Sequence, residues 1–162
     1  MKSNEFSDLA PITAESLAER FGLTAHVENG AFALRHYPSE EPGRPSSGAI
    51  YYYVAPEEYS KFHRLDCDEY WCYVKGSPLE LWQFDEDGRL TVSMLGVGDG
   101  CEPLIWLRHG VTFGSRHRPG ETEGTFLSCL TVPRFTYEGF VLVEDDEILR
   151  LYPAAKDFFS AP

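Results

Sequence analysis

Basic residues are scarce in this chain: 14 Lys and Arg stand against 26 Asp and Glu, a net charge of −12. Such a surface repels a phosphate backbone or an anionic membrane, so neither nucleic acid nor membrane is an expected partner. The plain reading of the charge is solubility. No apolar run approaches the roughly 20 residues of a membrane-spanning helix. The opening MKSNEFSDLAP also lacks the apolar stretch of a secretory signal. Cysteine is sparse as well. The four cysteines, Cys67, Cys72, Cys101 and Cys129, form no C-x-x-C pair and no dense framework. That argues against a zinc ribbon or a disulfide scaffold, and the expectation is buried thiols in a reducing cytoplasm.

Aromatic residues, glycine and proline are plentiful. Nine Tyr and eleven Phe suit strands better than helices, and 14 Gly with 11 Pro supply many turns. A length of 162 residues fits one domain with a real core. Residues 1–12 are polar, end near Pro11 and read as a flexible lead-in; residues 13–162 read as a single domain. Thr13 looks like the N-cap of a short helix over 14–21, with Leu17 and Phe21 on one face and Gly22 where a left-handed cap belongs. The apolar period then falls to two. Strands are expected at 31–37, 48–54, 59–65, 69–74, 79–84, 90–95, 103–107, 111–115, 125–132 and 139–143. Asp85-Glu86-Asp87-Gly88 marks a hairpin turn between two of them. The stretch 145–159 turns helical again, broken at Pro153. Many short, evenly spaced strands point to an all-β sandwich or barrel.

The chemistry concentrates in Phe62-His63-Arg64-Leu65-Asp66-Cys67-Asp68-Glu69-Tyr70-Trp71-Cys72-Tyr73. By strand parity Lys61, His63 and Leu65 share one face, and Glu69, Trp71 and Tyr73 share another. If His63 points inward, the short link at 66–68 lets Glu69 point in beside it. An imidazole, a carboxylate and a phenol around one cavity suit metal ligation or proton transfer. His26 precedes a turn and reads as a loop-stabilising residue; Arg116-His117-Arg118 reads as a solvated turn.

These residues carry a resemblance. His63, Glu69 and Gly76 match the spacing of the first cupin motif, with Leu65 in place of its second histidine. Arg108 to Phe113 falls where the second cupin motif should stand, and Gly110 alone survives of Pro-x-Gly-x-x-His. The chain is similar, nearly end to end, to a family of small single-domain cupins of formerly unknown function, related to sugar-nucleotide 3,5-epimerases. The matching pieces are Phe21-Gly22-Leu23-Thr24-Ala25-His26-Val27-Glu28-Asn29-Gly30, Ser47-Gly48-Ala49-Ile50-Tyr51-Tyr52, the block from Phe62 to Trp71, Gly76-Ser77-Pro78-Leu79-Glu80-Leu81 and the block from Cys129 to Phe140.

The resemblance implies an antiparallel jelly-roll (cupin) β-barrel with short flanking helices at both ends. It also implies a homodimer, here through the tyrosine-rich strand 50–54. The expected function is acid–base chemistry of the isomerase, epimerase or lyase type on a small molecule. The candidate catalytic set is His63 as base, Glu69 or Asp68 orienting it, and Tyr73 as proton donor. Tyr51, Tyr53, Trp71, Phe113 and Glu138 are candidate substrate contacts. The alternatives are a metal-dependent cupin of dioxygenase or decarboxylase type, and a non-catalytic binding module. No cofactor is expected first. If a divalent metal binds, His63 and Glu69 are its ligands; Leu65 and Phe113 stand where further histidines would be and offer no donor atom.

Overall fold

The computed structural model describes residues 12–36 and 42–160; most of the lead-in, at 1–11, lies outside the described residues. Helix α1 (Ala14–Phe21) opens the chain. A reciprocal cap holds its start: the Ser16 N–H donates to Thr13 Oγ1 and the Thr13 N–H to Ser16 Oγ, each at 3.1 Å. Gly22 ends it at φ 71°, which a side chain would strain.

Among the described residues eleven strands follow: β1 (Thr24–Ala25), β2 (Ala31–His36), β3 (Gly48–Val54), β4 (Tyr59–Leu65), β5 (Asp68–Gly76), β6 (Leu79–Phe84), β7 (Leu90–Leu95), β8 (Leu104–Leu107), β9 (Thr112–His117), β10 (Thr125–Val132) and β11 (Phe140–Leu142). Helices α2 (Asp145–Leu151) and α3 (Lys156–Phe159) close the chain, with a 3-10 turn at Pro153–Ala155 between them. The named strands pair antiparallel in two sheets, one of six in the order β1-β2-β3-β10-β5-β8, one of five in the order β11-β4-β9-β6-β7. The architecture is the expected all-β jelly roll with short helices at both ends. The short strand β1 is an addition to the sequence reading; its two residues are too few to show a period.

The sheets face one another across an apolar core that includes Tyr52, Trp71, Leu81, Leu107, Phe113 and Leu127. A second cluster, Phe62, Phe84, Ile148 and Phe158 among others, seats α2 and α3 on the outside of the five-stranded sheet. A third seats α1 on the outside of the six-stranded sheet, where Leu17 meets Tyr53 and Phe126. The parity of β3 is thereby fixed. Tyr52 points into the core, while Tyr51 and Tyr53 point outward beneath α1, with Phe21 5.1 Å from the Tyr51 ring and stacked 5.6 Å from Phe126. The outward tyrosines expected to meet a partner subunit are packed under the chain's own helix.

Candidate active site

At one end of the sandwich a cavity of about 190 Å³ opens between the sheets. His63 of β4 reaches it from the five-stranded sheet, and Glu69 of β5 with Cys129 and Thr131 of β10 from the six-stranded sheet. His26 and Glu28 enter from the β1–β2 hairpin. The apolar wall includes Phe32, Ile50, Leu65 and Phe135; Arg134, Leu34 and Tyr137 also line it.

The hairpin puts Glu28 in place. Asn29 and Gly30 both adopt positive φ, 74° and 72°, and a Cβ on Gly30 would stand 2.6 Å from the Tyr53 carbonyl oxygen. The tight turn lies against β3 and β4. Lys61 N–H donates to the Glu28 carbonyl at 2.8 Å, Asn29 Nδ2 to the Tyr59 carbonyl at 3.0 Å, and the Tyr52 hydroxyl to the Asn29 carbonyl at 2.8 Å. Held this way, Glu28 is buried.

Its carboxylate Oε2 stands 3.1 Å from His63 Nε2. The other ring nitrogen of His63 lies 2.8 Å from the Lys61 carbonyl, which only accepts, so Nδ1 carries the hydrogen. A neutral His63 then has a bare Nε2 facing Glu28, and the contact needs one proton between them. Burial decides where it sits. It lowers the His63 pKa to about 4 and raises that of Glu28 well above the usual carboxylate range, with the nearby Glu69 raising Glu28 further. Both shifts favour the form in which Glu28 holds the proton and donates it to His63. His26 is also pushed down to about 4 by burial, and its Nδ1 accepts from the Glu28 N–H at 3.4 Å. That contact is the loop-stabilising role expected of His26, which in addition lines the cavity.

Glu69 differs from Glu28. It is 7% exposed, and burial raises its pKa to about 7, with Trp71 and Cys129 facing its carboxylate and pulling it back. Its Oε2 has no hydrogen-bond partner.

The structure thus brings His63 and Glu69 to one cavity and leaves the other candidates elsewhere. Tyr73 shares the parity of Glu69 but stands four residues further along β5, and at about 3.3 Å per residue it is far from the cavity. Its hydroxyl donates to the Gly76 carbonyl at 2.6 Å. Asp68 points to the outer side and accepts from the His109 N–H at 2.9 Å and from Trp106 Nε1 at 3.2 Å, so it does not orient His63. Trp71 packs in the core between Tyr52 and Phe113, and Phe113 stacks edge-on against His63 with ring centroids 4.2 Å apart. Tyr51 and Tyr53 lie on the outward face, and Glu138 is exposed beside Tyr137, which lines the cavity in its stead. Glu28 is the residue the sequence reading missed. The available signal was its place in the family piece His26-Val27-Glu28-Asn29-Gly30.

A metal fits these residues poorly. Among the described residues no group of three or more His, Cys, Asp and Glu side chains is arranged to hold one. Leu65 contributes only carbon to the cavity wall, and the Phe113 ring covers one flank of His63.

Comparison with known proteins agrees with the fold. A protein from Shewanella oneidensis is similar at 29% identity, over 90% of this chain and 94% of its own, with a TM-score of 0.81. A hypothetical protein from Leishmania major follows at 28% identity, over 88% and 94%, with a TM-score of 0.73. Oxalate decarboxylase from Bacillus subtilis, a protein with Mn(II) centres, shares the fold at 15% identity and a TM-score of 0.59, over 99% of this chain and 38% of that one. No curated protein matches the sequence. The pattern of the family described as Cupin superfamily (DUF985) matches residues 15–143, most of the length, and the chain belongs to that family.

Proposed function

We propose that the chain is an enzyme moving protons on a small molecule bound in this cavity. The observation that carries the reading is the buried Glu28–His63 contact of 3.1 Å, one proton between two groups with His63 Nδ1 tied to a carbonyl. Beside it stands Glu69, a carboxylate titrating near neutral pH. General acid–base work is efficient when the group's pKa lies near the working pH. Glu69 is the base of this reading and the Glu28–His63 pair the acid, in place of His63 as base and Tyr73 as donor.

For a hydroxy-carbonyl substrate the step balances without a co-reactant. Glu69 takes a proton from the carbon beside the carbonyl, and that C–H electron pair becomes the C=C bond of an enol. The C=O π pair takes the proton of Glu28, and the Glu28 carboxylate takes a hydroxyl proton back when the enol collapses. Return of a proton to either carbon gives isomerisation or epimerisation; loss of a neighbouring hydroxyl gives dehydration.

The test is hydrogen–deuterium exchange in D₂O, followed by NMR on a panel of hydroxy-carbonyl compounds. Wild type should exchange the carbon-bound proton of its substrate, and exhaustive chelation should leave the rate unchanged. Glu69→Gln and His63→Gln should each slow exchange by about 100-fold or more. Loss of exchange on chelation, restored by one metal, would hand the site to the metal-dependent alternative.

For a partner we propose a second copy of the chain, on the outer face of the six-stranded sheet beyond α1. There Leu104, Trp106, Leu130 and Val132 are 38–54% exposed, with Asp68 at the rim. Two copies of charge −12 repel one another least where a face carries almost none. Sedimentation should show a dimer at about 10 μM and a monomer for Trp106→Glu; a monomeric wild type overturns this pairing.

A further inference from the structure

Among the described residues lining the cavity there is one Lys or Arg, Arg134. A guanidinium keeps its charge at any pH a protein meets, so Arg134 is the one lining group whose charge is fixed. Its place is built by neighbours. The Arg134 N–H donates to the Pro45 carbonyl at 3.0 Å, and the Arg134 carbonyl accepts from Arg44 Nε at 2.7 Å. Arg44 is itself held to Asp66 by two bonds, of 2.9 and 2.7 Å. The half-buried stem of Arg134 then crosses Gly48, another residue of the cavity wall. A Cβ on Gly48 would stand 2.9 Å from Arg134 Cγ, so the glycine leaves the arginine its room. A guanidinium has five donors in a planar fork, and an edge engaged with the protein leaves another for a guest.

We propose, on the reading above of a hydroxy-carbonyl substrate, that this substrate is a small organic acid, a hydroxy- or keto-carboxylate whose carboxylate bonds to Arg134 while its carbon chain lies along the cavity wall. The fork of Arg134 matches the two oxygens of a carboxylate, and a charge-assisted bond is roughly twice as strong as a neutral one. An ammonium would be repelled by the same group. A phosphate monoester brings about 1.5 to 2 negative charges against one positive, into a cavity that also holds Glu28 and Glu69. The net charge of −12 does not forbid an anion. Charges spread over the surface are largely screened beyond a Debye length of about 8 Å, whereas a direct bond at Arg134 is not. Phe32, Ile50, Leu65 and Phe135 offer carbon to the chain that follows the carboxylate. The size agrees. An apolar cavity of about 150 Å³ takes a benzene ring, so one of about 190 Å³ suits a guest of about six to nine non-hydrogen atoms.

Three keto acids of that size, 2-oxobutanoate, 4-oxopentanoate and 5-oxohexanoate, are compared with their amides and with hydroxyacetone phosphate. Binding is measured at pH 7 by ligand-observed NMR, up to about 10 mM, a range suited to fragments. In wild type at least one acid should bind about tenfold or more tighter than its own amide and than the phosphate. That preference should shrink between 50 mM and 500 mM salt, about a threefold cut in the Debye length. Arg134→Met should bring acid and amide level while the amide still binds, and Arg134→Lys, which keeps the charge and loses the fork, should retain part of the preference. Equal binding of acid and amide in wild type overturns the proposal, whatever the variants do. So do tighter binding of the phosphate, binding of none of the probes, and an acid preference unchanged in Arg134→Met. No turnover is needed for this readout. An acid preference without proton exchange on any compound leaves the recognition standing and fells the catalytic reading; exchange on neutral hydroxy-carbonyl compounds without an acid preference does the reverse.

Discussion

The two ends of the sandwich each bury a histidine, and they use it differently. His63 and His117 lie on neighbouring strands of the five-stranded sheet, 2% and 7% exposed, and burial lowers the pKa of both. At the far end, Thr125 Oγ1 donates to the Ser77 carbonyl at 2.6 Å and so accepts the hydrogen of His117 Nε2 at 2.8 Å. Backbone closes over the rest. A Cβ on Gly124 would stand 2.6 Å from the Val54 carbonyl oxygen, and one on Gly76 would collide with the Gly124 carbonyl. His63 instead carries its hydrogen on Nδ1 and turns Nε2 toward an acid beside an open cavity. A buried, neutral histidine is therefore no sign of a site by itself. What distinguishes the two is a carboxyl group in direct contact with the ring and room for a guest.

The comparison breaks most visibly on activity. His63→Gln should cost about 10²–10⁴ in turnover and leave the fold intact, whereas His117→Gln should retain turnover at temperatures where it is folded. Steady-state rates together with circular dichroism decide this, and equal losses in both variants would erase the distinction.

The pH dependence of stability sharpens it. The folded state holds the Glu69 proton more tightly than the unfolded chain, about 7 against 4.5. That contribution is present in full below about pH 4.5 and is lost as pH rises through about 7, on the order of 3 kcal/mol. Glu69→Gln should therefore gain stability on wild type steadily over that interval in chemical denaturation. A difference constant with pH would mean that Glu69 titrates normally.

At the sealed end the loss should be smaller and purely structural. His117→Ala leaves Thr125 unmatched and removes packing, about 1–3 kcal/mol and several degrees of Tm by calorimetry, independent of any ligand. The smallest effect belongs to the pair between Arg44 and Asp66, two bonds of 2.9 and 2.7 Å with Asp66 about half exposed. Arg44→Ala should cost less than about 1 kcal/mol, less still in high salt.

The fold was legible because a half-buried strand writes its period into the chain. The expected segments 48–54, 59–65, 79–84, 90–95 and 125–132 coincide with observed strands, and α1 begins and ends at the caps that Thr13 and Gly22 announce. The site was legible in part. Cupin spacing picked out His63 and Glu69, but parity gives a face and not a height, which is why Tyr73 falls away from the cavity. Glu28 was hidden because Asn29-Gly30 reads as a surface turn; its burial depends on bonds to Tyr59, Lys61 and Tyr52, distant in sequence. His117 was hidden by the arginines around it. Arg116, far from solvated, lies over the Trp82 ring at 5.1 Å and bonds to Glu80 at 2.8 Å.

The cavity floor draws His63 from one sheet, Glu69 and Cys129 from the other, and Glu28 from a hairpin tip. No half of the molecule owns the site, so a chain caught partway through folding has none of it. A guest that touches both sheets binds the finished state alone and draws chains toward it by mass action. In a cell, the abundance of this protein would then rise with the supply of its own ligand, through slower degradation and with no change in synthesis.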